Sequence, residues 1–183
     1  MTFPRLLATS AAIALACLSL SRAAQPSLSE IVKLQPLKYP AFQARLSPTP
    51  GGKPFKYTLV DAWASNCAPC KKNFPHLVEM HHKFADKGLQ VISLSLDDTS
   101  DAKAVASAKE FLVEKKAVFL NVLLDEDFGV GYEKLEINAI PAVFLFGPTG
   151  KLLKKFSLDD PNNQFTYDQV EKEVSTLLDA PPK

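Results

Sequence analysis

Two cysteines two residues apart, at the point where a β-type run gives way to a helical pattern, constrain this chain more than any other feature. The stretch reads Trp63-Ala64-Ser65-Asn66-Cys67-Ala68-Pro69-Cys70-Lys71. Tyr57 to Trp63 leads into it, and a helical pattern from Phe74 to Phe84 leads out. A pair so spaced can close a small disulfide and reopen it. A helix N-terminus favours a thiolate on the first of the two, through its unpaired N–H groups and its dipole.

What surrounds the pair says where it works. Arg5 followed by the apolar run Leu6 to Leu20 and the small residues near Ala23 and Ala24 predicts a secretory signal over residues 1 to 24. The run is short of the about 20 apolar residues of a membrane span, and an uncleaved N-terminal anchor is the alternative. Cys17 lies inside this run, in a poor context for acylation, and is expected to leave with it. The mature chain then carries 19 positive and 20 negative residues. Neither this balance nor the full chain's net charge of +1 suggests a nucleic-acid partner. Two cysteines in an oxidising compartment are too few for a domain stapled by disulfides, and a four-ligand zinc site would need more cysteine or histidine. The expected use of the pair is redox chemistry, with no metal and no cofactor.

With 183 residues and 46% hydrophobic residues, the chain can bury one full core. Residues 25 to 54 are proline-rich and read as a leader, with one short strand near Phe42 to Leu46 and a turn at Gly51-Gly52. The compact domain spans 55 to 180. Leu59 to Ala64 reads as a buried strand. The helix after the cysteines places Phe74, Leu77, Val78, His81, Phe84 and Ala85 on one face, with Pro75 expected to kink it and Gly88 to end it. Gln90 to Leu96 is a second central strand, Asp101 to Lys115 a second amphipathic helix and Val118 to Leu124 a third strand, which implies parallel pairing. A short helix from Phe128 to Leu135 precedes a hairpin of Ala142 to Phe146 and Lys151 to Phe156. Thr166 and Gln169 form a capping box for a last helix. The fold class is α/β, a mixed sheet with helices on both faces.

These residues together resemble the thioredoxin fold of the TlpA/ResA type, the exported thiol-disulfide oxidoreductases. Val60-Asp61-Ala62-Trp63-Ala64 resembles the strand before the active site, and Cys67-Ala68-Pro69-Cys70-Lys71 the redox motif. Pro75 matches a proline of the following helix, and Ile140-Pro141-Ala142-Val143-Phe144 resembles the segment carrying the family's cis-proline. The helix-strand unit from Asp101 to Leu124 is similar to the TlpA-type insertion. Asn66, Ala68 and Ala62 depart from common family residues, which touches partner preference and redox poise.

The resemblance implies a set of roles. Cys67 is the nucleophile and Cys70 the resolving thiol. Asp61, costly to bury, is the proton acceptor for Cys70, or else an outward-facing aspartate at the strand's end. Ile140 and cis-Pro141 offer backbone groups to an extended substrate; a trans proline opening a strand is the bland alternative. Trp63 either shields the sulfurs or packs the core, and Pro69 tunes the pair. His76 is near enough to modulate the site, and CxxC spacing with no histidine after His82 argues against copper delivery. The partners implied are protein thiol or disulfide substrates and a membrane or exported electron donor, with a monomer expected. Ala68-Pro69 is nearer to the Gly-Pro of thioredoxin (about −270 mV) than to DsbA (about −120 mV), which favours a reductase, and cytochrome c maturation is a client setting the family suggests. A thiol peroxidase and a peptide-binding module are the competing functions; Val60 and Ala64 stand where a peroxiredoxin's Pro-x-x-x-Thr context would be.

Overall fold

The structure, a computed structural model, describes residues 26–47, 55–127, 129–159, 162 and 164–180. The expected signal over residues 1 to 24 and the turn at Gly51-Gly52 lie outside them, as does Phe128.

The apolar runs become a six-stranded sheet. Its strands are β1 (Leu34–Leu37), β2 (Tyr57–Trp63), β3 (Leu89–Ser95), β4 (Leu120–Leu124), β5 (Ala142–Phe146) and β6 (Leu152–Phe156), in the order β1-β4-β3-β2-β5-β6. The four strands from β1 to β2 pair in parallel, and β5 and β6 run antiparallel. Parallel neighbours need a crossover and a hairpin does not, so the helices between β2, β3 and β4 and the tight connection from β5 to β6 dictate this arrangement. Ser93 and Ser95 interrupt the apolar pattern of β3 without leaving buried groups unpaired. Ser93 donates to Asn121 at 2.8 Å, and Ser95 donates to Asp97 at 2.7 Å.

Side chains alternate across a strand, so Leu59, Asp61 and Trp63 of β2 face one side while Val60 and Ala62 face the other. Helices α3 (Ala68–Phe84), α4 (Ala102–Glu114) and α6 (Tyr167–Asp179) cover the first side with Phe74, Leu77, Phe111, Leu112, Val170 and Val174. On the second side, α2 (Tyr39–Gln43) and α5 (Val130–Leu135) contribute Phe42 and Leu135. A four-residue helix, α1 (Leu28–Ile31), precedes β1. The caps at Asp101 and Thr166 form as the sequence suggests, the second as a full capping box.

Three expectations are corrected. The strand near Phe42 to Leu46 is instead the end of α2 and the turn after it: Pro40 fits a first helical turn, and Phe42 and Leu46, four residues apart, are both buried. A strand does form in the proline-rich segment, but at Leu34–Leu37, where Pro36 is tolerated because β1 is an edge. The sheet therefore starts before residue 55. Helix α3 begins at Ala68, right after Cys67 as expected, but its buried face uses Met80, with Val78 and His81 only half-buried.

Candidate active site

Cys67 is the N-cap of α3 and Cys70 lies in its first turn, so one local fold brings the two sulfurs together. They form a disulfide whose Cα atoms are 5.3 Å apart. The Cys70 backbone N–H donates to Cys67 Sγ at 3.2 Å. When the bond opens, that N–H and the helix dipole are already aimed at a charge on Cys67. Pro69 sits in the first turn, where its missing N–H would have had no helical partner. Relative exposure separates the two sulfurs: Cys67 is 9% accessible and Cys70 2%, so an incoming group reaches Cys67 first.

The start of β5 supplies the opposite wall. The Ile140–Pro141 peptide bond is cis, and Cys67 Sγ lies 3.8 Å from the carbonyl oxygen of Ile140. Beside this wall runs a groove of about 390 Å³ lined by Pro69, Asn73, His76, Pro141, Phe165 and Tyr167, among others.

Asp61 faces the same side of the sheet and is 1% exposed. Burial pushes its carboxyl up to about 7, opposed by a hydrogen bond that Tyr167 Oη donates to Oδ2 at 2.8 Å. Its Oδ1 is buried with no hydrogen-bond partner among the described residues. The Tyr167 ring stacks on His76, with centroids 5.6 Å apart and planes 21° apart.

The loop just before Cys67 is held by a residue the sequence reading did not single out. Asp97, at the end of β3, accepts hydrogen bonds from the Ser65 N–H at 3.0 Å and the Ser65 hydroxyl at 2.7 Å, and a third from Ser95. A carboxylate directly after an apolar strand was the available signal for it. Tyr167 was also missed; nothing in its local pattern points to a partner 106 residues away.

Trp63 is corrected. It is fully buried, its ring 5.4 Å from Phe74 and 5.2 Å from Phe111, so it packs the core and offers no surface to a substrate. Trp63→Phe is expected to cost about 1–2 kcal/mol in urea unfolding, through lost packing, and to leave the KM for a disulfide substrate unchanged. A raised KM with unaltered stability would return Trp63 to the substrate surface.

A mixed sheet with a cysteine pair at the N-terminus of the helix after a central strand, facing a cis-proline, defines a thioredoxin-fold protein with a redox-type cysteine site. The chain belongs to the AhpC/TSA family, whose model matches residues 26–155. It is 25% identical over 99 residues to the thiol-disulfide oxidoreductase ResA of Bacillus subtilis, covering 54% of this chain and 51% of that protein. It is 25% identical over 142 residues to the thiol:disulfide interchange protein HelX of Rhodobacter capsulatus, covering 73% of this chain and 72% of HelX. The crystal structure of the thioredoxin domain of a thiol-disulfide oxidoreductase from Bacteroides vulgatus superposes with a TM-score of 0.54 at 27% identity, over 68% of this chain and 80% of that one. The chain thus spans about half the length of the ResA relatives it matches.

Proposed function

We propose that the protein is an exported thiol-disulfide oxidoreductase that exchanges its Cys67–Cys70 pair with protein disulfides and works as a reductase. The observation that carries this reading is the pair itself, with Cys67 capping α3 and facing the Ile140 carbonyl beside cis-Pro141. In the reduced protein, the Cys67 thiolate attacks one sulfur of a client disulfide, forming a mixed disulfide and releasing the client's other sulfur, which takes up a proton. Cys70 then gives its proton to the Asp61 carboxylate and attacks Cys67 Sγ. That closes the internal disulfide, and the second client sulfur leaves as a thiolate. The client gains two electrons, the pair loses two, and an electron donor of dithiol type must restore it. Ile140 and Pro141 present backbone to the client segment, and Pro69 forms part of the same rim.

Ala68-Pro69 and the buried Asp61 support the reducing direction. The apolar run from Leu6 to Leu20 supports export, and the relatedness to the thiol-disulfide oxidoreductase ResA and the thiol:disulfide interchange protein HelX supports the exchange chemistry. A membrane or exported electron donor and a monomeric protein complete the reading.

The test is a trap. Reduced Cys70→Ser protein, mixed with a model protein disulfide, should accumulate a mixed disulfide on Cys67 that peptide mass mapping identifies, while the wild-type protein passes through it. Free client and no adduct on Cys67 would remove the proposed exchange.

A further inference from the structure

We infer that Tyr167 is a positioning residue for the redox site: its hydroxyl holds the buried Asp61 carboxyl in its ionised, proton-accepting form, while its ring forms a wall of the groove beside Pro141. This rests on the oxidoreductase reading for its consequence in catalysis, but the contact itself does not.

The geometry divides the carboxyl into two unlike oxygens. Oδ2 accepts the Tyr167 hydroxyl at 2.8 Å, and Oδ1 has no partner among the described residues. A buried carboxylate with one donor is partly stabilised as an anion, and the bare oxygen is the place where a proton can be taken up. With the hydroxyl on Oδ2 the carboxyl is also fixed in rotation, so that Oδ1 keeps one orientation on the face of the sheet that α3 covers. Tyr167 is the first residue of α6, held there by the Thr166–Gln169 capping box, and stacking on His76 of α3 fixes its ring from the groove side.

The other neighbours do not compete for this role. On the adjoining strands Asp61 is paired with Ser93 of β3 and Val143 of β5, and the Ser93 hydroxyl is committed to Asn121. Helix α4 brings Ala108, Phe111 and Leu112 to this face, none of which titrates. Helix α3 brings Cys67, Cys70 and the half-exposed His76, and α6 brings Tyr167. Burial and the Tyr167 hydroxyl are the two influences on the carboxyl, acting in opposite directions.

The consequence is a placement of the working pH. Near neutrality the wild-type carboxyl is divided between its two forms, so a substantial share of molecules can accept the Cys70 proton. Without the hydroxyl, burial acts unopposed and the ionised share falls. A one-unit rise in the titration midpoint lowers it about fivefold at pH 7.

The experiment is carried out on the full chain. Oxidised wild-type and Tyr167→Phe proteins are titrated by carbon NMR at the Asp61 carboxyl, and resolution of a preformed mixed disulfide is timed between pH 5 and 9. Tyr167→Phe keeps the ring, the stack and the groove wall and removes only the donor. The Asp61 midpoint is expected to rise by about one pH unit. The resolution rate is expected to fall about fivefold at pH 7, with the same rate as wild type regained at high pH. An unmoved Asp61 midpoint, or a rate lowered equally at every pH, would overturn the proposal. Absence of any exchange in the wild-type protein would instead strike the oxidoreductase reading, and the NMR midpoints would still decide the role of Tyr167. Should Tyr167→Phe not fold, the ring carbon bearing the hydroxyl of Tyr167 in wild-type protein is expected to report the Asp61 titration; a flat signal through that pH range would also overturn it.

Discussion

Cys67→Ser is expected to lower disulfide exchange with a protein substrate by about three orders of magnitude or more, to the uncatalysed background. A hydroxyl in the same place is far less acidic than a thiol, and neither the Cys70 N–H nor the dipole of α3 can supply the difference. Cys70→Ser should behave differently, because Cys67 still attacks and only the second step is lost. Its first turnover should proceed at a rate close to wild type and then stop at the mixed disulfide. Stopped-flow measurement of single-turnover exchange separates the two. Equal and complete loss in both variants would mean that the cysteines do not divide the work between attack and resolution.

Asp61→Asn is expected to make the oxidised protein more stable above neutral pH while slowing the exchange. Burial lifts the carboxyl from 3.8 to about 7, so the folded protein keeps a proton that the unfolded chain has released over this interval. Stability therefore declines as pH rises from about 4 to 7, and above 7 the folded state carries the whole cost of a buried charge. That cost is about 4 kcal/mol for the difference between the two values. Asparagine cannot ionise, and it still accepts from Tyr167 through its carbonyl oxygen. Its amide nitrogen takes the place of the unpartnered Oδ1, a group whose burial costs about 1–3 kcal/mol. The net gain at pH 8 is about 2 kcal/mol, and it turns into a loss of about 1–2 kcal/mol near pH 4, where the folded aspartic acid is neutral and the amide's own cost is what remains. Urea unfolding across this pH range reads it directly. A gain that stays constant from pH 4 to 8 would mean that Asp61 is not the group that titrates. Stability given up at a proton-accepting carboxyl is a common feature of functional sites.

Much of this arrangement was legible before any coordinates. The Cys67–Cys70 spacing, the apolar runs of β2, β3 and β4 and the amphipathic α4 and α6 are local patterns, and local patterns carry the periodicity that burial on one face imposes. The thioredoxin-type order of Trp63, the cysteine pair and Ile140-Pro141 brought the two walls of the site together on the page. The misplacements have equally physical origins. On α3, Val78 and His81 fall at apolar-face spacing but are only half-buried, because Met80 takes the inward position between the sheet and the neighbouring helices. β1 is four residues long and contains Pro36, and only its partner β4 makes it a strand. The stretch from Phe42 to Leu46 is too short for periodicity to separate strand from helix, and its buried residues, Phe42 and Leu46, have helical spacing. Tyr167 and Asp97 reach the site by contacts far apart in sequence, and no window of the chain contains both partners.

Their distribution explains what is exposed and what is protected. The face that holds Trp63 and Phe74 is mostly apolar core; of its polar groups, Ser93 and Asn121 are bonded to each other, whereas Asp61 and the cysteines are those the proposed chemistry uses. The Ser65–Asp97–Ser95 bonds keep the loop ahead of Cys67 fixed, so that under the proposed exchange Cys67 would be presented without loop ordering at each turnover.

The most direct test of the whole reading is the equilibrium reduction potential of the Cys67–Cys70 pair, set against glutathione or dithiothreitol buffers and read by thiol alkylation. A reversible two-electron couple near the thioredoxin value of about −270 mV is the expected result, and it would make the pair a donor of electrons to client disulfides. A value near the DsbA figure of about −120 mV, or a pair that does not equilibrate with the buffer at all, would contradict the reductase assignment.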